Sequence, residues 1–222
     1  MFPLRDHNHS HRFPLITVLL IIANVLVFLY QLSLPNVETF VFEYGLVPAH
    51  VNLLNLATLA PFITSMFLHG GWLHIISNMW FLWIFGDNIE ATLGHVKYIL
   101  FYVISGLAAA LLQYLITPGS EIPMVGASGA IAGVLGGYLV LFPAAKIETL
   151  IAGFGFFTRV NVPASFMLFY WFATQLFSGA GSVVTGMHTQ GGVAFFAHIG
   201  GFAAGWLIMN AVKSTLTWRR IE

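Results

Sequence analysis

Apolar positions along the chain gather into runs long enough to cross about 30 Å of hydrocarbon. They lie at 14–34, 72–92, 96–116, 125–142, 163–180 and 192–212. This pattern predicts an all-α, polytopic membrane bundle of six transmembrane helices. The segments between the runs are short except for 35–68, a first extracytoplasmic loop whose stretch "EYGLVPAHVNLLNLATLAPF" is semi-apolar and expected to rest in the membrane interface. The first run has no small-residue cleavage site after its apolar core and exceeds the usual signal-peptide length, so it is expected to stay as a helix. The division that follows is an N-terminal tail at 1–13, a six-span domain at 14–212 and a C-terminal tail at 213–222.

Composition agrees with a membrane setting. Of the 222 residues, 58% are hydrophobic and 7% charged, with a mean hydropathy of +0.86, whereas soluble domains carry about 25% charged residues. Net charge is zero and no basic tract interleaves with aromatics, so nucleic-acid binding has no electrostatic footprint. The absence of cysteine removes disulfides, thiolate metal sites and cysteine nucleophiles together. All the basic residues, Arg5, Arg12, Lys97, Lys146, Arg159, Lys213, Arg219 and Arg220, fall on one side of the six-run pattern. The positive-inside rule then puts both termini in the cytoplasm and turns the first loop, 117–124 and 181–191 outward.

Depth can be read from the 1.5 Å rise of a helical residue. Ser128 lies about 21 Å above Phe142, and His198 about 22 Å above Lys213, so the two share a depth some 8 to 9 Å beneath the outer surface of a core about 30 Å thick. Each heads a stripe of small side chains: Ser128, Ala132 and Gly136 on one helix, His198, Gly201 and Gly205 on the other. Small stripes let backbones approach closely. A lone serine in a membrane helix commonly bonds back to its own helix. Facing a histidine at equal depth, its hydroxyl is placed for an imidazole to activate it.

The second run adds "HGGWLHIISNMW", which sets His74 and Asn78 on one helix face with His69 a turn or so above. Buried imidazoles and amides need partners in lipid. Two roles stay open for this pair, hydrogen bonding between helices and donation to a tetrahedral oxyanion. No H-E-x-x-H occurs, which disfavours a zinc protease. Nor is a carboxylate available at the depth of His198, since Glu121 could approach only by a loop excursion; Asp87 and Glu90 near the other end read as caps or loop anchors. The tail sequence "DHNHSHR" has the composition of a His-rich metal tract, but reads better as a solvated tail.

Four motifs in order carry a resemblance: His69-x4-His74-x3-Asn78, Gly86-x3-Glu90-x3-Gly94, Gly126-x-Ser128-Gly129, and Ala197-His198-x2-Gly201-x3-Gly205. On them the chain resembles the bacterial rhomboid intramembrane serine proteases. The resemblance implies Ser128 as nucleophile and His198 as general base. It further implies an oxyanion hole from His74, Asn78 and the Ser128 N–H, and auxiliary roles for His69, near a water-filled entrance, and for Gly126 and Gly129. Gly201 and Gly205 become helix-packing residues. Also implied are a multi-pass protein of the cell (inner) membrane, membrane-protein substrates with a transmembrane segment cut near the outer leaflet, and no cofactor or metal. Two positions depart from the family pattern: Ala60-Pro61 stands where many members have Trp-Arg, and Ala132 where an aromatic often packs on the histidine. The alternatives are a catalytically silent rhomboid-like binder of transmembrane segments, which predicts a damaged dyad, and a transporter, which predicts paired half-repeats or intramembrane charges; the sequence has neither feature.

Overall fold

The computed structural model describes residues 1–8, 12–153, 156–185 and 194–216. The start of the sixth apolar run, part of the 181–191 segment, His9, Ser10 and His11 of the His-rich tract, and the end of the C-terminal tail with Arg219 and Arg220 lie outside the described residues.

Six long helices follow the six apolar runs: α1 (Leu15–Ser33), α4 (Trp72–Leu93), α5 (His95–Ile116), α6 (Ser128–Leu141), α7 (Ala164–Thr185) and α8 (Phe195–Val212). Between the first two come α2 (Val37–Tyr44) and the single turn α3 (Pro61–Thr64). By length and apolarity α1, α5 and α8 can each cross a bilayer. A fourth span exists if α4 is joined to the segment Leu56–Phe67, from which it is bent by 79°. The helix α6, about 21 Å long at 1.5 Å per residue, is too short to cross by itself. The molecule is a helical, integral membrane protein.

Packing centres on α6, which is buried along most of its length among α4, α5 and α8. A methyl group on Gly201 would run into the Gly129 carbonyl, and one on Gly205 into the Gly133 carbonyl. The small stripe expected on α8 is therefore the contact. On α6 the seam runs one residue over from the expected Ser128–Ala132–Gly136 line, through Gly129 and Gly133, while Gly136 meets the Phe202 carbonyl. Such contact between backbones is open only to residues without a side chain.

Glu90 explains its own motif. Its buried carboxylate accepts from Ile16 N–H at 2.7 Å, Thr17 N–H at 2.8 Å, the Thr17 hydroxyl at 2.7 Å and His95 Nδ1 at 2.6 Å. The first turn of α1 follows Pro14 and has no side-chain cap of its own, so its free N–H groups are satisfied from α4. Gly86 clears room for Thr17 and the Tyr98 hydroxyl, and Gly94, at φ 76°, makes the turn into α5 that an L side chain resists. We expect Glu90→Gln to lower stability by about 2–3 kcal/mol, because an amide offers one acceptor oxygen and sets an NH2 against donors. Thermal melting in a single detergent measures this, and an unchanged midpoint would refute the cap.

The all-α expectation needs correction at the end of the bundle farthest from Ser128. There β1 (Phe2–Asp6), β2 (Lys146–Gly153) and β3 (Phe156–Pro163) form an antiparallel sheet in the order β1-β2-β3. Ile147 and Thr149 point inward and are fully buried, with Val162 and Val160 opposite them. The N-terminal segment, read from sequence as a solvated tail, is anchored: Asp6 accepts from Tyr138 OH at 2.8 Å and Asn88 Nδ2 at 2.7 Å, and Trp80 Nε1 donates to the Pro3 carbonyl at 2.7 Å. On the outer face Arg5 bonds Glu148 at 2.6 Å and, with Arg159 nearby, holds that carboxyl below the usual carboxylate range.

Candidate active site

The helix α6 begins at Ser128, so the serine N–H is among the donors that a helix start leaves without a carbonyl four residues back. The first such bond in α6 is that of Ile131 to Ala127, and no side chain caps this end. The Ser128 hydroxyl meets His198 Nε2 at 2.8 Å. Because the glycine seam fixes α6 against α8, two residues 70 positions apart share one hydrogen bond.

The turn before Ser128 is held by the first loop. Leu46 and Met124 exchange backbone hydrogen bonds at 3.0 and 2.8 Å, and Gly126 N–H donates to the Ser65 carbonyl at 2.8 Å. Gly126 has φ 120°, and a Cβ there would stand 2.6 Å from His74 Nε2 and 3.5 Å from Asn78 Nδ2. That close approach explains the glycine: His74 and Asn78 lie directly over the turn leading to the serine. Gly70 N–H donates to His74 Nδ1 at 3.3 Å, which leaves the ring proton on Nε2, facing the turn. The buried Asn78 Nδ2 has no hydrogen-bond partner among the described protein atoms. It is a donor without an acceptor, beside the Gly126 turn that leads to the serine.

His69 differs from its expected place by an entrance. It is fully buried, its main chain bracketed by Gln31 of α1, whose Nε2 donates to the His69 carbonyl at 2.8 Å. Its ring lies 5.1 Å from that of His74 and edge-on to Phe28. Of the two departures from the family pattern, Ala60-Pro61 opens α3 with proline at a helix start, where its missing N–H costs nothing. Ala132 is buried on α6, and the aromatic neighbour of His198 comes from another helix: the Trp171 ring of α7 stands 5.7 Å from the imidazole, inclined by 40°. On the same face, one turn on, Gln175 Oε1 lies 2.8 Å from His198 Nδ1. The sequence reading missed both. A depth count would have found the glutamine, since Gln175 stands about 17 Å along α7 from Ala164, within a turn of the depth of Ser128, and a lone amide in an apolar helix calls for a partner. On α5, Gln113 Oε1 accepts from Ala197 N–H at 3.2 Å and steadies the first turn of α8.

Among the described residues no cluster of three His, Cys, Asp or Glu could hold a metal ion. What the arrangement offers is a hydroxyl, an imidazole and a group of N–H donors around one turn, within a bilayer-spanning bundle.

Known proteins share this framework. Residues 57–214 match the model of the Rhomboid domain. Rhomboid-like protein 11, chloroplastic, of Arabidopsis thaliana is 31% identical over 163 residues, 70% of this chain and 54% of that protein. Rhomboid protein 1, mitochondrial, of Saccharomyces cerevisiae is 30% identical over 159 residues, covering 68% of this chain and 42% of that one. Presenilin-associated rhomboid-like protein, mitochondrial, of Pongo abelii is 28% identical over 144 residues, 64% and 37% of the two chains. The chain thus spans about half or less of the length of these relatives, and the stretch 57–214 matched by the domain contains Ser128, His198, His74, Asn78 and the glycine seam. With a domain match over most of its length and the motifs folded around one turn, the chain belongs to the rhomboid family of integral membrane proteins.

Proposed function

We propose that the chain is an intramembrane serine endopeptidase that cuts membrane-protein substrates in or near a transmembrane segment. The observation that carries this is the 2.8 Å hydrogen bond between the Ser128 hydroxyl and His198 Nε2. In this reading His198 takes the hydroxyl proton as Ser128 Oγ attacks the peptide carbonyl. The oxyanion is met by His74 Nε2–H, Asn78 Nδ2–H and the Ser128 N–H, all in place before charge develops. The imidazolium then protonates the leaving amine, and water, activated by the same imidazole, hydrolyses the acyl-enzyme.

A six-span topology with both termini cytoplasmic, in a cell inner membrane, puts Ser128 toward the outer leaflet. Substrates would be single-span proteins whose helix opens there, since a peptide bond must leave its helical hydrogen bonding to be attacked. Cleavage of such a reporter by the purified protein, with the nucleophile replaced as control, tests the proposal. No cofactor is required by the chemistry.

The oxyanion assignment has its own test. Asn78→Ala should lower kcat and kcat/KM together, by somewhat less than the about 10²–10³-fold of a strong single donor, because two donors remain. His74→Ala should act likewise, and the double variant should lose less than the product of the two. Variants that melt early yet recover full rate on cooling would make the pair structural and the assignment wrong.

A further inference from the structure

The bond from His198 to Gln175 is one link in a longer chain on α7. The Thr174 hydroxyl donates to the Trp171 carbonyl at 2.6 Å, and Gln175 Nε2 donates to Thr174 Oγ1 at 3.4 Å. Gln175 Oε1 faces His198 Nδ1 at 2.8 Å, and His198 Nε2 faces the Ser128 hydroxyl at 2.8 Å. A backbone carbonyl can only accept. That fact orders every proton in the series. The threonine hydroxyl must give its hydrogen to the Trp171 carbonyl and keeps lone pairs for the amide NH2. The amide, anchored at its nitrogen, presents oxygen to the ring. The ring therefore carries its proton on Nδ1 and leaves Nε2 open toward the serine.

We propose that Gln175, oriented by Thr174, is the positioning residue that fixes His198 in the tautomer able to accept the Ser128 proton. A soluble serine protease gives this task to a buried carboxylate. Here a neutral amide performs it, which avoids burying a charge in an apolar bundle and agrees with the lack of a carboxylate bonded to His198 among the described residues. Reversing the amide would present NH2 to Nδ1, draw the ring proton to Nε2 and leave no base facing the hydroxyl. Trp171, from the same helix, covers the ring side while Gln175 holds its edge.

The kinetic part rests on the protease reading; the tautomer does not, and the experiment separates them. Four variants are compared: Gln175→Leu, Gln175→Glu, Thr174→Val, and Thr174→Val combined with Gln175→Glu. Each is assayed for reporter cleavage and by 15N NMR of histidine-labelled protein in detergent, His198 being assigned by difference against His198→Ala. In the wild type His198 should be the Nδ1–H tautomer. Gln175→Leu should lower kcat about 10²-fold, the low end of what a general base contributes, with KM little changed and with Nε2–H signal appearing. Gln175→Glu keeps an acceptor and should keep the tautomer and most of the rate. Thr174→Val should lower kcat about 3- to 10-fold, in line with the loss of about one hydrogen bond, but should cost less in the Gln175→Glu background, where either carboxyl oxygen can face the ring. The proposal is overturned if Gln175→Leu leaves both tautomer and kcat unchanged, or if Thr174→Val costs the same in both backgrounds. Should the wild type not cleave the reporter, the protease reading fails, and the tautomers of the wild type and of Gln175→Leu still decide this inference.

Discussion

Ser128→Ala is expected to reduce cleavage of a single-span reporter to background, a loss of at least about 10⁴-fold. Among the described residues the Ser128 hydroxyl is the one nucleophile bonded to His198. The fold should survive. The Ser128 side chain is only partly buried, and removing one oxygen costs little beyond its hydrogen bond to His198, about 1 kcal/mol. Turnover and melting are to be measured on the same preparation. Wild-type turnover in Ser128→Ala would end the serine-protease reading, whereas wild-type protein no faster than the variant would favour a silent binder of transmembrane segments.

The second large effect lies in the seam. Gly205→Ala places a methyl group on the Gly133 carbonyl, and two helix backbones cannot rotate away from each other as a side chain can. We expect a stability loss of about 2–4 kcal/mol, at or above the usual range for overpacking. A fall in cleavage rate should accompany it, because separating α6 from α8 lengthens the bond between serine and histidine. Gly119→Ala is the control, since nothing stands within 4 Å of a Cβ at that position. Equal melting of the two variants would mean that α6 and α8 are not held by backbone contact.

Much of this was legible because membrane helices write their length into composition. The six runs predict the six long helices to within a few residues at most ends, and a fixed rise per residue brings Ser128 and His198 to one depth. The lateral offset of the α6 stripe was not legible: Ala132 and Gly133 are both small, and spacing alone does not choose between adjacent lines. The sheet was missed for a different reason. Ile147, Thr149 and Ile151, then Thr158, Val160 and Val162, alternate as β-branched residues on a strand face do. A short connection between two apolar runs draws the eye to its charges, Lys146 and Arg159, and away from that period. Strand β1 has no such internal signal and takes its form from β2. Gln175 escaped because a single amide has no periodicity; only its depth gave it away.

The glycine seam also bears on how the protein lives in bilayers of different thickness. Helices answer a mismatch between their apolar length and the lipid by tilting, at a cost of fractions of a kcal/mol per Å. Two helices that touch through side chains can slide while doing so. Where Gly201 and Gly205 lie on the carbonyls of Gly129 and Gly133, α6 and α8 have no such slack and tilt as one rigid pair, carrying the hydroxyl and the imidazole with them. If the chain is the protease proposed, a thinner or thicker membrane changes the height at which a substrate helix presents its backbone to Ser128 while leaving the serine–histidine geometry as it was. Lipid thickness would act on which peptide bond is offered, and hardly at all on the pair that receives it.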